Sequence, residues 1–197
     1  MKKNVKFIVP LILLVFSLQG FMFYAKPTLV YESTAEKQQN NGILIQLDKF
    51  KDERTNKGSG AIGETCNAFF KTGDVKEPDN ISEWVTDALK QELNAAGYSI
   101  NDKPAQIVIS GTIIEVSADF RMKTESSIIL SVKVMQNNSV LLEELYNSAC
   151  EEFQVGQFDI SKGVSEILEK NLQQIMSKVM KDIEPIIKEV EGSGLDI

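Results

Sequence analysis

TESSIILSVKVMQ, residues 124–136, sets Ile128, Leu130, Val132 and Val134 two positions apart. Successive side chains of a β-strand point to opposite faces, so this period of two predicts a strand with one apolar face turned inward. The stretch behind it, SVLLEELYNSACEEFQ (139–154), reads as a returning strand. It is reached through Asn137 and Asn138, which tolerate positive φ and suit a tight hairpin. Ahead of it, AQIVISGTIIEVSADF (105–120) is a long strand whose apolar parity shifts between Gly111 and Ile114, the mark of a bulge or bend.

Two helices flank these strands. Ile81, Trp84, Val85, Ala88, Leu89 and Leu93 recur at helical spacing, Asn80 with Glu83 resembles a capping box, and Gly97 supplies a left-handed stop. Val164, Ile167, Leu168, Leu172, Ile175, Val179 and Ile183 form the stripe of a second helix over about 161–190, capped by Ser161 or Asp159, with Pro185 expected to end or kink it. Toward the N-terminus, GILIQLDKF (42–50) sets Ile43, Ile45 and Leu47 against Gln46 and Asp48, a half-buried strand. After the polar loop KDERTNKGSG (51–60), a short strand is expected from Ala61 to Phe70, followed by turn residues Thr72 to Asp74. The fold class is α+β: a two-layer domain with a mostly antiparallel sheet and two helices packed on one face, in the order β-β-α-β-β-β-α.

The 197 residues suffice for one domain and a leader. MKKNVK precedes an uncharged run from Phe7 to Ala25, and a polar stretch follows, the tripartite order of an export signal. Residues 1–25 read as a signal peptide or an N-terminal membrane anchor, 26–41 as a polar tether, 42–190 as the domain and 191–197 as a flexible tail. Cleavage after Ala25 would leave the bulky Phe23 at the position where a small residue is wanted. The 19-residue run, as a helix, would span about 28 Å, close to the hydrocarbon thickness of a bilayer. Both fates stay open. Leu18-Gln19-Gly20 is followed by Phe21, so the cysteine that a lipoprotein signal would lipidate is missing.

The formal charge is −7, and −10 once Lys2, Lys3 and Lys6 leave with the leader. An acidic body repels phosphate backbones, which argues against nucleic acid as a partner. Cys66 and Cys150 form a possible disulfide, whose loop of about 85 residues would stabilise by about 4–5 kcal/mol in the chain-entropy model; the alternative is two separate thiols acting as small hydrophobes. No metal site is expected, since the chain has no histidine and no C-x-x-C spacing.

No catalytic constellation emerges either. Without histidine, acid–base work would fall to a shifted carboxylate, lysine or cysteine, and Cys66 lacks its usual base. Asp52 and Arg54 read as a surface ion pair or turn. Gly58, Gly60 and Gly63 lack the lysine of a phosphate loop. Neither an enzyme nor a cofactor is expected.

FKDER (50–54), IGETCNAFFKTGDV (62–75), ISEWVTDALKQELNAAGYSI (81–100), VISGTIIEVSADF (108–120) and FDISKGVSEILEKNLQQIMSKVM (158–180), in that order, resemble the YajG-type bacterial envelope lipoprotein family over roughly residues 41–185. The resemblance implies a periplasmic domain associated with the outer membrane and brings no chemistry with it. Phe21 stands where the family has its lipidated cysteine.

The expected function is that of a non-catalytic envelope protein binding another envelope protein or a cell-wall component. The alternative is a small-ligand or lipid carrier with a pocket between the sheet and the C-terminal helix. Partner contact is expected from Gly63 to Asp74, with Gly63, Asn67, Phe69, Phe70, Lys71 and Asp74 as its residues, because loops that combine glycine with aromatics often carry recognition. Phe69 and Phe70 cannot both face one side of a strand, which leaves one for an edge or a partner.

Overall fold

The computed structural model describes residues 24–39, 42–66, 70–101, 104–153 and 159–193. Its centre is a long antiparallel meander of β6 (Ile107–Phe120), β7 (Lys123–Gln136) and β8 (Ser139–Phe153). Ile128, Leu130, Val132 and Val134 on β7 are all fully buried, as the period of two requires. Asn137 and Asn138 both carry positive φ and close the β7–β8 hairpin. The parity shift on β6 is a bulge: register slips between Ile113 and Glu115, and Ile114 is left exposed. Three residues earlier, Gly111 leaves room for the buried Phe50 ring, which a Cβ would meet at 2.2 Å.

The other edge of β6 is lined by three short parallel segments, taken in chain order from its start to its end. β1 (Leu44–Leu47) pairs through Ile45 with Ile107, β2 (Lys51–Asp52) through Lys51 with Thr112, and β3 (Ala61–Cys66) through Thr65 with Phe120. β4 (Lys71–Lys76) returns antiparallel on β3, and β5 (Ser99–Asn101) lies parallel beside β1, so the eight-stranded sheet is mixed. Thr72 to Asp74 therefore belong to β4 and not to a turn. Pairing of Gly73 with Thr65 and Asp74 with Glu64 overrides their local turn preference. The strand expected to reach Phe70 ends at Cys66.

Helix α1 (Ile81–Ala95) and helix α2 (Ile160–Ser193) complete the α+β fold. α2 lies along β6, β7 and β8 and buries Val164, Leu168, Leu172, Ile175, Val179 and Ile183; α1 packs against α2, β2 and β5. Gly97, at φ 87, follows the end of α1 as expected. The capping box does not form. Asn80 adopts φ 59 with no side-chain cap bond, and its carbonyl instead accepts the Trp84 N–H at 2.9 Å. Asp159 caps α2 by accepting the Lys162 N–H at 3.1 Å. Pro185 does not end α2. It sits on the exposed side, where water can satisfy the carbonyl it cannot bond, while buried Ile183, Ile187 and Val190 hold the last turns to the core.

Of the stretch expected as a polar tether (26–41), residues 26–39 are described, and with Tyr24 and Ala25 they form a strap packed across both helices. The Lys26, Thr28 and Glu32 amides donate to Ser161 Oγ, Ser165 Oγ and Glu169 Oε1 along α2, at 3.2, 3.0 and 3.0 Å. The Trp84 indole donates to the Val30 carbonyl at 2.9 Å, and the Gln38 amide to that of Ala95 at 2.7 Å, which ties the strap to α1. Ala25 and Tyr31 are core residues.

The two cysteines are free thiols, on β3 and β8. Between them stand β6 and β7, along the line Thr65–Phe120–Thr124–Glu152. Three strand spacings amount to about 14 Å, twice the reach of a disulfide, so strand order rules out the possible bridge. Burial pushes the Cys150 thiol above its ordinary pKa. The leader's apolar run before Tyr24 and the tail beyond Ser193 lie outside the described residues. Among those described, no helix is long and apolar enough to cross a membrane.

Candidate functional site

Strand directions bring several chain segments to one end of the sheet. β3 is parallel to β6, β7 is antiparallel to β6, and β8 is antiparallel to β7. The ends of β3, β6 and β8 and the starts of β4 and β7 therefore all lie together, here called the hairpin end. Phe70, just before β4, is 73% exposed; Met122, in the β6–β7 turn, is 74% exposed; Phe153, closing β8, is 69% exposed. Large apolar side chains at hairpin tips would ordinarily be polar turn formers. The three are spread across this end, Phe70 beside β4 and Phe153 on β8 four strand spacings apart at about 19 Å, with Met122 between them.

The base of the β3–β4 hairpin is held rigidly. Gly63 lies so close to β6 that a Cβ there would stand 1.9 Å from the Ala118 carbonyl oxygen. The neighbouring Glu64 amide donates to Asp119 Oδ1 at 2.8 Å. At the other end of β4, Arg54 is 4% exposed and pairs bidentately with Asp52, at 2.9 and 2.8 Å, while its Nη2 also meets Glu77 Oε1 at 2.5 Å. The expected surface pair is thus a buried triad that joins β2 to the chain just after β4. The hydrogen bond from Arg54 holds the Asp52 carboxyl below its ordinary range.

Polar groups around the tips are matched among themselves. Lys71 bridges Glu64 and Asp74, each at 2.9 Å, and its bonds to Asp74 first and then Glu64 raise its pKa. Lys123 pairs with Glu151 and lies 5.0 Å from the Phe153 ring centroid. Arg121 stands 4.0 Å from Asp119. Among the described residues, Lys71, Arg121 and Lys123 at this end each face a carboxylate.

Ala25 forms a parallel bridge with Val75 of β4, donating to the Asp74 carbonyl and accepting from the Lys76 amide at 3.2 and 2.6 Å. Because the pairing is parallel, Tyr24 lies on the side of Ala25 that faces the start of β4. Lys76 Nζ lies 4.7 Å from the Tyr24 ring centroid.

Of the expected contact residues, Gly63, Lys71 and Asp74 build or brace the hairpin, and Phe70 projects from it. Asn67 and Phe69 lie outside the described residues. Sequence reasoning missed Met122 and Phe153. The available signal was an apolar residue at Met122, where the strand pattern of β6 runs out into a turn.

The space between the sheet and α2 is filled by Ile128, Leu130, Leu168, Leu172 and Ile175, all fully buried. Clefts of about 440 and 470 Å³ lie instead along the strap, the first beside Trp84 and Tyr31, the second beside Glu92 and Met180. Among the described residues no group of three or more acidic, cysteine or histidine side chains could hold a metal ion.

No family model matches the chain, and no curated protein does. Solved structures share its fold. A DUF330-family protein from Xanthomonas campestris superposes with a TM-score of 0.56 at 11% identity, covering 87% of this chain and 99% of that one. A hypothetical protein from Chlamydia trachomatis gives 0.51 at 11% identity, covering 75% and 99%. At such identity the likeness is one of fold.

Proposed function

We propose that this chain is a non-catalytic cell-envelope protein, exported by its leader, whose hairpin end binds another envelope component. The observation that carries the reading is the convergence of Phe70, Met122 and Phe153, each exposed by more than two thirds, on a braced end of the sheet. Export rests on the basic-then-apolar order of residues 1–25, and the envelope address also on the resemblance to YajG-type lipoproteins. A binding role needs no titrating group near neutrality, which suits a chain without histidine.

The test places a photoreactive amino acid at Phe70, or at Ser139 at the far end of the sheet, in the full chain expressed in a diderm bacterium. The expected outcome is protease access to the domain in spheroplasts, with crosslinks to an envelope component from position 70 and none from 139. A cytosolic chain, or equal crosslinking at both positions, would refute it.

A further inference from the structure

We infer that β8 is the seam of a two-fold dimer, in which two copies of this chain pair antiparallel over residues 142–148, with Leu145 on the axis, and join their sheets into one. The seam lies apart from the hairpin end, so the inference goes beyond the envelope reading and can fail without it.

The first observation is an open edge. Among the described strands β8 pairs with β7 alone, along fifteen residues, whereas the Ala25–Val75 bridge covers part of the β4 edge. Folded chains blunt such an edge above all with lysine or proline. β8 carries neither, and Leu145 on it is 55% exposed.

The second observation is which backbone groups point outward. Gln136 and Ser139 flank the two-residue turn Asn137–Asn138 and so form a bonded pair. Counting back from Gln136 by twos, Val134, Val132 and Leu130 bond to Leu142, Glu144 and Tyr146. Glu143, Leu145 and Asn147 therefore turn their amides and carbonyls away from β7. Lys178 agrees with this count, since its Nζ reaches the Asn147 carbonyl at 2.7 Å.

The third observation is self-complementarity. In an antiparallel seam, outward residues of one strand face outward residues of the other. An axis at Glu143 or Glu144 sets a carboxylate against its own copy, and an axis at Asn147 sets Glu143 against Glu151 of the second copy. An axis at Tyr146 faces Leu145 with the polar Asn147. The axis at Leu145 joins the exposed leucine to its own copy, Glu143 to Asn147 and Glu144 to Tyr146, with no carboxylate directly opposite another. Lys133 also neutralises Glu143 at 3.0 Å.

Helix α2 leaves room for the second copy. It lies over β7 and β8, tied to β8 through Tyr146–Asp182 and Ser148–Gln174. With each helix half a strand spacing inside β8, the pair would stand about 10 Å apart across the seam, a normal packing distance. The two hairpin ends then point in opposite directions, and Phe70, Met122 and Phe153 lie outside the seam.

The test uses the full chain in detergent, oxidised with copper–phenanthroline, and the unchanged chain supplies the baseline for Cys66 and Cys150. Leu145→Cys should give a disulfide-linked dimer about tenfold more than Asn147→Cys or Ala149→Cys, whose copies the axis holds about 13 and 26 Å apart, beyond disulfide reach. Leu145→Lys and Leu145→Glu chains should each run as monomers in native mass spectrometry, keep their unfolding midpoints, and associate when mixed. Lys178→Ala should raise the dimer share, because the Glu143 amide of the second copy takes the same carbonyl. Equal disulfide yield at all three positions, a disulfide from 149 in place of 145, or an unchanged chain found only as a monomer overturns the inference. Capture of a different polypeptide at 145 with no homodimer overturns it as well.

Discussion

Gly63 and Arg54 show how single residues fix the hairpin end. A methyl group at Gly63 would collide with backbone, the Ala118 carbonyl, which has no rotamer to give. Gly63→Ala should therefore cost about 2–3 kcal/mol, as overpacking does, measured by denaturant unfolding. Arg54 acts through charge. Its partner Asp52 has a folded-state pKa below the unfolded value of about 3.9, so the carboxylate contributes stability that is present above that value and lost as pH falls through the folded pKa. Acid titration should show stability dropping below about pH 4. Asp52→Asn should start less stable at neutral pH and show a shallower acid slope, and an unchanged slope would refute the assignment. FKDER shows the Asp52–Arg54 pair but neither its burial nor its third member, because Glu77 is 23 residues away from Arg54.

Among the elements, the strap departs furthest from its sequence. TLVYESTAEKQQNN has a tether's composition, yet its backbone is bonded to two helices. Sequence periodicity cannot reveal such a segment, because its amides are satisfied by side chains far along the chain and it needs no pattern of its own. One side chain anchors its middle. Tyr31 donates its hydroxyl to Glu92 Oε1 at 2.5 Å in a buried setting, and burial, followed by the Glu92 bond, raises the phenol's pKa so that it stays protonated. Tyr31→Phe removes that donor and leaves a buried carboxylate short of a partner, at a cost of about 1–3 kcal/mol. Hydrogen exchange should then speed up at the Glu32 and Gln38 amides and stay unchanged on β7. The helices were easier to read, since each carries a long apolar stripe. Pro185 misled because its local penalty is small beside the burial of Ile183 and Ile187.

At the scale of the whole molecule, the meander and both helices were visible as periods of two and of 3.6. The parallel pairing of β1, β2 and β3 along β6 was not. Segments of two to six residues carry too few positions to show a period, and β2 has only Lys51 and Asp52. Strand order also decided the cysteines, which look pairable in sequence and stand three strands apart in space. The same topology has a consequence in time. Strap residues 26 and 28 bond to residues 135 and 137 positions later, so the part of the domain synthesised first finds its seat last. Until α2 has formed, the Lys26, Thr28 and Glu32 amides lack their acceptors, although Ala25 can already pair with β4. The long helix that arrives last therefore closes the domain at its first residues as well as along its sheet.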